Sequence, residues 1–241
     1  NQLPVFVDDR HGPFWITQQD FDIPSRYVLT KTHCGMRCSE CPPEEYAETT
    51  FSFRRKCTVT KWMQGKQAQY GTYPLDRVAK AVHLIRNPFD NVVSRFHLQA
   101  QKTGRYPATK LGFLEYCLSV DGLYTQSEIK YAHFADNPLL RDLYMVPCHA
   151  DFCKYIEWHN LATFTTNDLE LDTLILHYED YPASAERVLQ FLELDRVADI
   201  PPFDYRTYDY YSDAEKKIVE RAFKFMASRE SWKHVERYFE N

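Results

Sequence analysis

Short apolar runs alternate with longer stretches of helical periodicity along this chain, a pattern that predicts an α/β architecture. Val5-Phe6-Val7 is a brief strand candidate, followed by the turn formers Gly12-Pro13 and Pro24. A strand over 27–33 opens on Tyr27-Val28-Leu29, and another over 81–86 contains Ala81-Val82-His83-Leu84-Ile85. Both are apolar and β-branched enough to be parallel strands covered on both faces. The stretch 34–75, with Pro42-Pro43 and room for one helix, is longer than most strand-to-helix links. It is expected to be a substrate-facing insertion or a disulfide-tied lid.

The pattern then turns helical. Phe89, Val92, Val93 and Phe96 share one face of a helix predicted over 88–102. Asn87 suits its N-cap, Pro88 its first position, and Asp90 its third, where a carboxylate favours the helix start. Residues 110–165 keep helical spacing through Leu111, Leu114, Leu118, Leu139, Leu143, Phe152, Tyr155 and Trp158. A strand at 173–178 and a helix at 183–193 follow. Ser212 and Glu215 form a capping box ahead of a last helix whose apolar face is Ile218, Val219, Ala222, Phe223 and Met226. The expected fold is three-layered, with a mostly parallel central sheet between helices. At 241 residues and 28.6 kDa it is read as one domain, 1–241.

Charge narrows the partners. A net charge of −5 argues against general nucleic-acid binding, which needs a basic footprint. No apolar run reaches the length of a membrane-spanning helix, and no signal peptide is visible. The chain begins at Asn1, so targeting information, including a membrane anchor, is expected in an upstream segment.

Seven cysteines are many for a cytosolic enzyme of this length. Cys34, Cys38, Cys41 and Cys57 lie in the long connection, Cys148 and Cys153 close together, and Cys117 apart. This usage favours an oxidising lumen such as the Golgi, with the cytoplasm as the alternative. At least one disulfide is expected among the first four.

Candidate chemistry gathers at two strand ends. Lys31-Thr32-His33 closes the 27–33 strand, where residues two apart leave the same face. Imidazoles titrate near neutrality, so His33 is a candidate base for a hydroxyl proton, with Lys31 to stabilise developing negative charge. Arg86 ends the 81–86 strand, and Ser94 stands eight residues on, about two turns into the next helix. Together they can grip one phosphate from two directions. Arg95 is either a further phosphate contact or a surface residue. In open parallel sheets ligands bind beyond the carboxyl ends of the strands, which makes this edge an anion site.

Arg86-Asn87-Pro88-x-Asp90-x-x-x-Ser94 resembles the 3′-phosphate motif of sulfotransferases that use 3′-phosphoadenosine 5′-phosphosulfate (PAPS). Lys31-Thr32-His33 is similar to the strand end that supplies the base in cytosolic-type members. Leu174-Ile175-Leu176-His177-Tyr178-Glu179-Asp180 resembles the later strand whose tyrosine lies near adenine. The resemblance implies a P-loop nucleotide-binding-like fold and PAPS as cosubstrate, with no motif requiring a metal. It also implies His33 and Lys31 as catalytic residues, and Arg86, Ser94 and Tyr178 as nucleotide contacts. The acceptor would be a hydroxyl, with a glycan favoured by the cysteine usage. Glu179 and Asp180 are expected to cap the helix that follows them. Nothing in residues 1–30 resembles the family's 5′-phosphosulfate loop, so the chain is expected to begin after that loop or to be a non-catalytic nucleotide-binding relative.

A different class is also open. Cys34-x-x-x-Cys38-x-x-Cys41 is the spacing with which radical S-adenosylmethionine enzymes hold an iron–sulfur cluster. Against it stand the lack of repeated strand–helix units, only seven glycines, and Glu40 where that family usually has an aromatic residue. Cys148-His149, Cys153 and His159 fit no common zinc spacing and read as part of a packed helix.

Overall fold

In the computed structural model of the protein, residues 5–7, 29–35, 48–64, 67–130, 137–196, 199, 203 and 205–240 are described. The fold is mixed α/β and rich in helix. Strands β1 (Val5–Val7) and β2 (Leu29–Lys31) pair in parallel, with Val7 beside Lys31. Helix α1 (Thr50–Cys57) is followed by an antiparallel hairpin, β3 (Val59–Gln64) and β4 (Gln67–Thr72). Strand β5 (Lys80–Ile85) leads to α2 (Pro88–Thr103), α3 (Lys110–Lys130), α4 (Pro138–Leu143) and α5 (His149–Asp168). The chain returns as β6 (Asp172–His177), then α6 (Ala185–Phe191), α7 (Asp213–Met226) and α8 (Arg229–Val235).

The expected single central sheet is not what pairs. Among the described residues the strands form separate two-stranded ladders, β1–β2, β3–β4 and β5–β6. The β5–β6 ladder is parallel, and its crossover runs through α2 to α5, as a parallel pair requires. Nor is β5 covered on both faces. His83 and Ile85 are buried, whereas Val82 is 41% and Leu84 55% exposed. A mostly apolar strand sequence is therefore satisfied here by one packed face. The hairpin β3–β4 occupies part of the long connection 34–75, beside the helix for which that stretch has room.

Local signals fix the helix ends. The Asn87 side chain accepts from the N–H groups of Phe89 (2.9 Å) and Asp90 (3.4 Å), capping α2 with Pro88 at its first turn. Ser212 and Glu215 close a reciprocal capping box on α7. The main core lies between α2, α3, α5 and α7, where Phe96, Phe113, Tyr116, Phe152 and Phe223 are fully buried. A smaller cluster of Cys34, Phe53 and Ala162, flanked by Cys57, Trp158 and Leu161, ties the end of β2 to α1 and α5.

Among the described residues two cysteine pairs stand at disulfide distance, Cys34–Cys57 and Cys117–Cys148. The second gives Cys117, which stands apart in the sequence, a partner and joins α3 to the start of α5. Asp121, one turn further along α3, reinforces that joint by accepting from the backbone N–H groups of Cys148 (2.8 Å) and Ala150 (3.1 Å). Cys38 and Cys41 lie outside the described residues. Among the described residues no helix is long and apolar enough to cross a membrane.

Candidate anion site at two strand ends

The parallel register of β5 and β6 builds the site. Ile85 pairs with His177, so the next residues, Arg86 and Tyr178, leave the ladder side by side. The Arg86 guanidinium lies 4.7 Å from the Tyr178 ring centroid and 5.6 Å from that of Tyr205. Planar cations stack on such electron-rich faces. Among the described residues the buried Arg86 Nε has no hydrogen-bond partner. A fork of donors is thus held in place by rings while part of its hydrogen-bonding capacity is unspent.

The carboxylates beside Arg86 are committed elsewhere. Glu179 accepts from the Asn87 N–H (2.6 Å), the Tyr205 hydroxyl (3.2 Å) and the Tyr238 hydroxyl (2.6 Å). Asp90 accepts from the Tyr205 hydroxyl and from the backbone N–H of Tyr208 (3.1 Å). Burial first, and then the neighbouring carboxylates Asp90 and Glu179, push the phenol of Tyr205 upward; burial and Glu179 do the same to Tyr238. Both phenols therefore stay protonated and donate. Glu179 was expected to cap the following helix, and instead it joins the Asn87 turn to the C-terminal tyrosines. Asp180 forms a two-pronged ion pair with Arg237 (2.9 and 3.0 Å).

Ser94 is half-buried on α2, one turn beyond Asp90. Asp90 and His97, four residues before it and three after, both meet the segment 205–210, since the His97 ring stacks 4.7 Å from Tyr208. Ser94 shares that face by helical spacing. Arg95 meets a different element. Its guanidinium lies 3.4 Å from the fully buried Asp151 of α5, an ion pair between helices.

Lys31 is the last residue of β2 and is exposed, while His33 lies beyond the strand. The expectation that both leave one strand face therefore fails: the ladder ends at Lys31, and Cys34 (φ 57°) and Gly35 (φ 131°) turn the chain in left-handed conformations. At φ 131° Gly35 holds a conformation that side-chain-bearing residues rarely adopt, so the turn needs glycine. Helix α5 brings this segment to the Arg86 end. The Tyr155 hydroxyl donates to the Arg86 carbonyl (2.7 Å), and the Trp158 indole N–H donates to the His33 carbonyl (2.7 Å). Residues three apart on a helix are neighbours, so one turn of α5 holds both strand ends.

Sequence reasoning missed Tyr155, Trp158, Glu179 and Tyr205 as parts of this site. The first two were visible only as helical periodicity, and Tyr205 only as part of the tyrosine-rich run Tyr205 to Tyr211. With Cys34 bonded to Cys57, the three-cysteine reading lacks its first ligand. Comparison with protein-family models, with curated proteins and with solved structures gives no match.

Proposed function

We propose that this chain belongs to the PAPS-dependent sulfotransferases, with their P-loop-like fold, and transfers a sulfuryl group to a hydroxyl, a carbohydrate being the acceptor class we favour. The observation that carries the reading is Arg86: a ring-stacked guanidinium at the end of a parallel strand, beside a helix start, with a buried donor that lacks a partner. Phosphate dianions suit such a fork. Arg86 would bind the 3′-phosphate with Ser94, and Tyr178 would stand beside the nucleoside.

In the proposed step the acceptor oxygen attacks sulfur as the bond between sulfur and the bridging phosphate oxygen breaks. The acceptor proton passes to the His33 imidazole. Lys31 stabilises the charge that grows on the departing bridging oxygen. The products are a sulfate ester and adenosine 3′,5′-bisphosphate. As with in-line phosphoryl transfer, catalysis is mostly positioning and charge stabilisation.

Incubation with radiolabelled PAPS and a panel of glycan, tyrosyl and small-alcohol acceptors tests this directly. Label should enter at least one hydroxyl acceptor, and His33→Ala should lower turnover by about 10² to 10⁴. Nucleotide affinity should be unchanged in that variant. Nucleotide binding without transfer to any acceptor would leave a binding relative, and normal turnover in His33→Ala would place the base elsewhere.

A further inference from the structure

Resting on the reading of His33 as the base, we propose that the Cys34–Cys57 disulfide and the Trp158 indole form a clamp that positions it. Neither touches the reacting atoms in this proposal; both act through the backbone of His33. Trp158 donates to the His33 carbonyl at 2.7 Å, and Cys34 is the next residue in the chain. The disulfide carries the strand end to the C-terminus of α1, whose Phe53 packs edge-on against Trp158 at 5.8 Å.

The clamp acts beyond the paired part of β2, where the Cys34 N–H also donates to Thr32 Oγ1 (3.1 Å). The β2 ladder stops at Lys31, two residues short of His33. The apolar cluster beneath it is the small one of Cys34, Phe53 and Ala162, separate from the main core. A segment that packs on a satellite cluster and carries a covalent link opens more readily than the core when that link is cut. Cutting it should loosen the His33 backbone while leaving Arg86, anchored by Tyr155, where it is. A misplaced base lowers turnover without weakening nucleotide binding.

Three perturbations separate the parts. Trp158→Phe keeps an aromatic ring against Phe53 and removes the indole N–H. The double variant Cys34→Ser, Cys57→Ser removes the covalent link. Mild dithiothreitol treatment of the wild-type chain reduces the same bond, the reagent becoming a cyclic disulfide as two thiols form. Cys57 is only half-buried, whereas Cys117 and Cys148 are 1% and 0% exposed, so the first disulfide should reduce before the second. Thiol alkylation with mass spectrometry identifies which has opened.

Hydrogen exchange across residues 29–35 is the readout that needs no activity. It should quicken at least tenfold in each case, with α5 and α7 unchanged. Turnover from PAPS should fall at least tenfold with KM for PAPS within twofold. Unchanged exchange in 29–35 after both reduction and Trp158→Phe overturns the clamp. Faster exchange with undiminished turnover overturns its link to the base. Absence of sulfuryl transfer in the wild type defeats the functional reading instead, and exchange alone then decides whether the clamp exists.

Discussion

Glu179 is the most connected polar residue around the site, accepting from one backbone N–H and two phenols. Replacing it with Ala would leave those donors facing a partly buried space, and an unsatisfied donor typically costs about 1 to 3 kcal/mol. Glu179→Ala should therefore lose at least about 2 kcal/mol in urea denaturation. A loss near zero would mean water replaces the carboxylate easily and that the hub is incidental. The arrangement also explains how a guanidinium can stand near two carboxylates and still be available to an anion. Their lone pairs are occupied by Tyr205, Tyr238 and backbone amides rather than by Arg86. The Asn87 turn was legible from sequence because capping is a local matter of side-chain reach. Glu179's role was not, because it depends on which residues fold back from positions 205 and 238.

At the scale of elements, α5 does the most organising, and its polar residues set the response to acid. Burial lowers His159 to about 3 and His149 to about 4, and burial with nearby His234 lowers His83 on β5 to about 4. Unfolded histidines titrate near 6.5, so between about pH 6.5 and 4 the unfolded chain binds protons that the folded one refuses. Stability from these groups is complete above that window and falls through it. Asp121 acts in the opposite sense: burial raises it to about 7 against the pull of the Ala150 and Cys148 N–H groups. Its contribution therefore grows on acidification over much of the same range. Three histidines outweigh one carboxyl, so the melting temperature should drop steadily from pH 6.5 to 4. A flat profile over that range would show that the histidines are hydrated in solution. The disulfide Cys117–Cys148 holds the same α3–α5 joint, and Cys117→Ala with Cys148→Ala should cost about 2 to 5 kcal/mol. Equal denaturation midpoints for the wild type and this double variant would show that Asp121 alone suffices.

Across the whole molecule, what the sequence revealed is what short-range chemistry dictates. The strands around 81–86 and 173–178, the helix after Asn87, and the helix opening on Ser212 all stand within a residue or two of expectation. The hairpin β3–β4 escaped notice although Gly65-Lys66 separates its two runs, because Lys61, Gln64, Gln67 and Gln69 blur their apolar alternation. Helix α5 was expected, but which of its residues would meet the strand ends was not. That depends on tertiary register, which periodicity does not encode. Arg86 and Tyr178 were each singled out, yet their stacking follows from Ile85 pairing with His177 across a crossover of some ninety residues. The sulfotransferase proposal rests on that convergence, and nucleotide selectivity probes it without any acceptor being known. Isothermal titration calorimetry with adenosine 3′,5′-bisphosphate and 5′-AMP is the most direct measurement. The bisphosphate should bind more tightly by about 1.5 to 3 kcal/mol, and Arg86→Ala should erase most of that difference. Equal affinities for the two nucleotides, or an undiminished preference in Arg86→Ala, would contradict the assignment of this strand end to a 3′-phosphate.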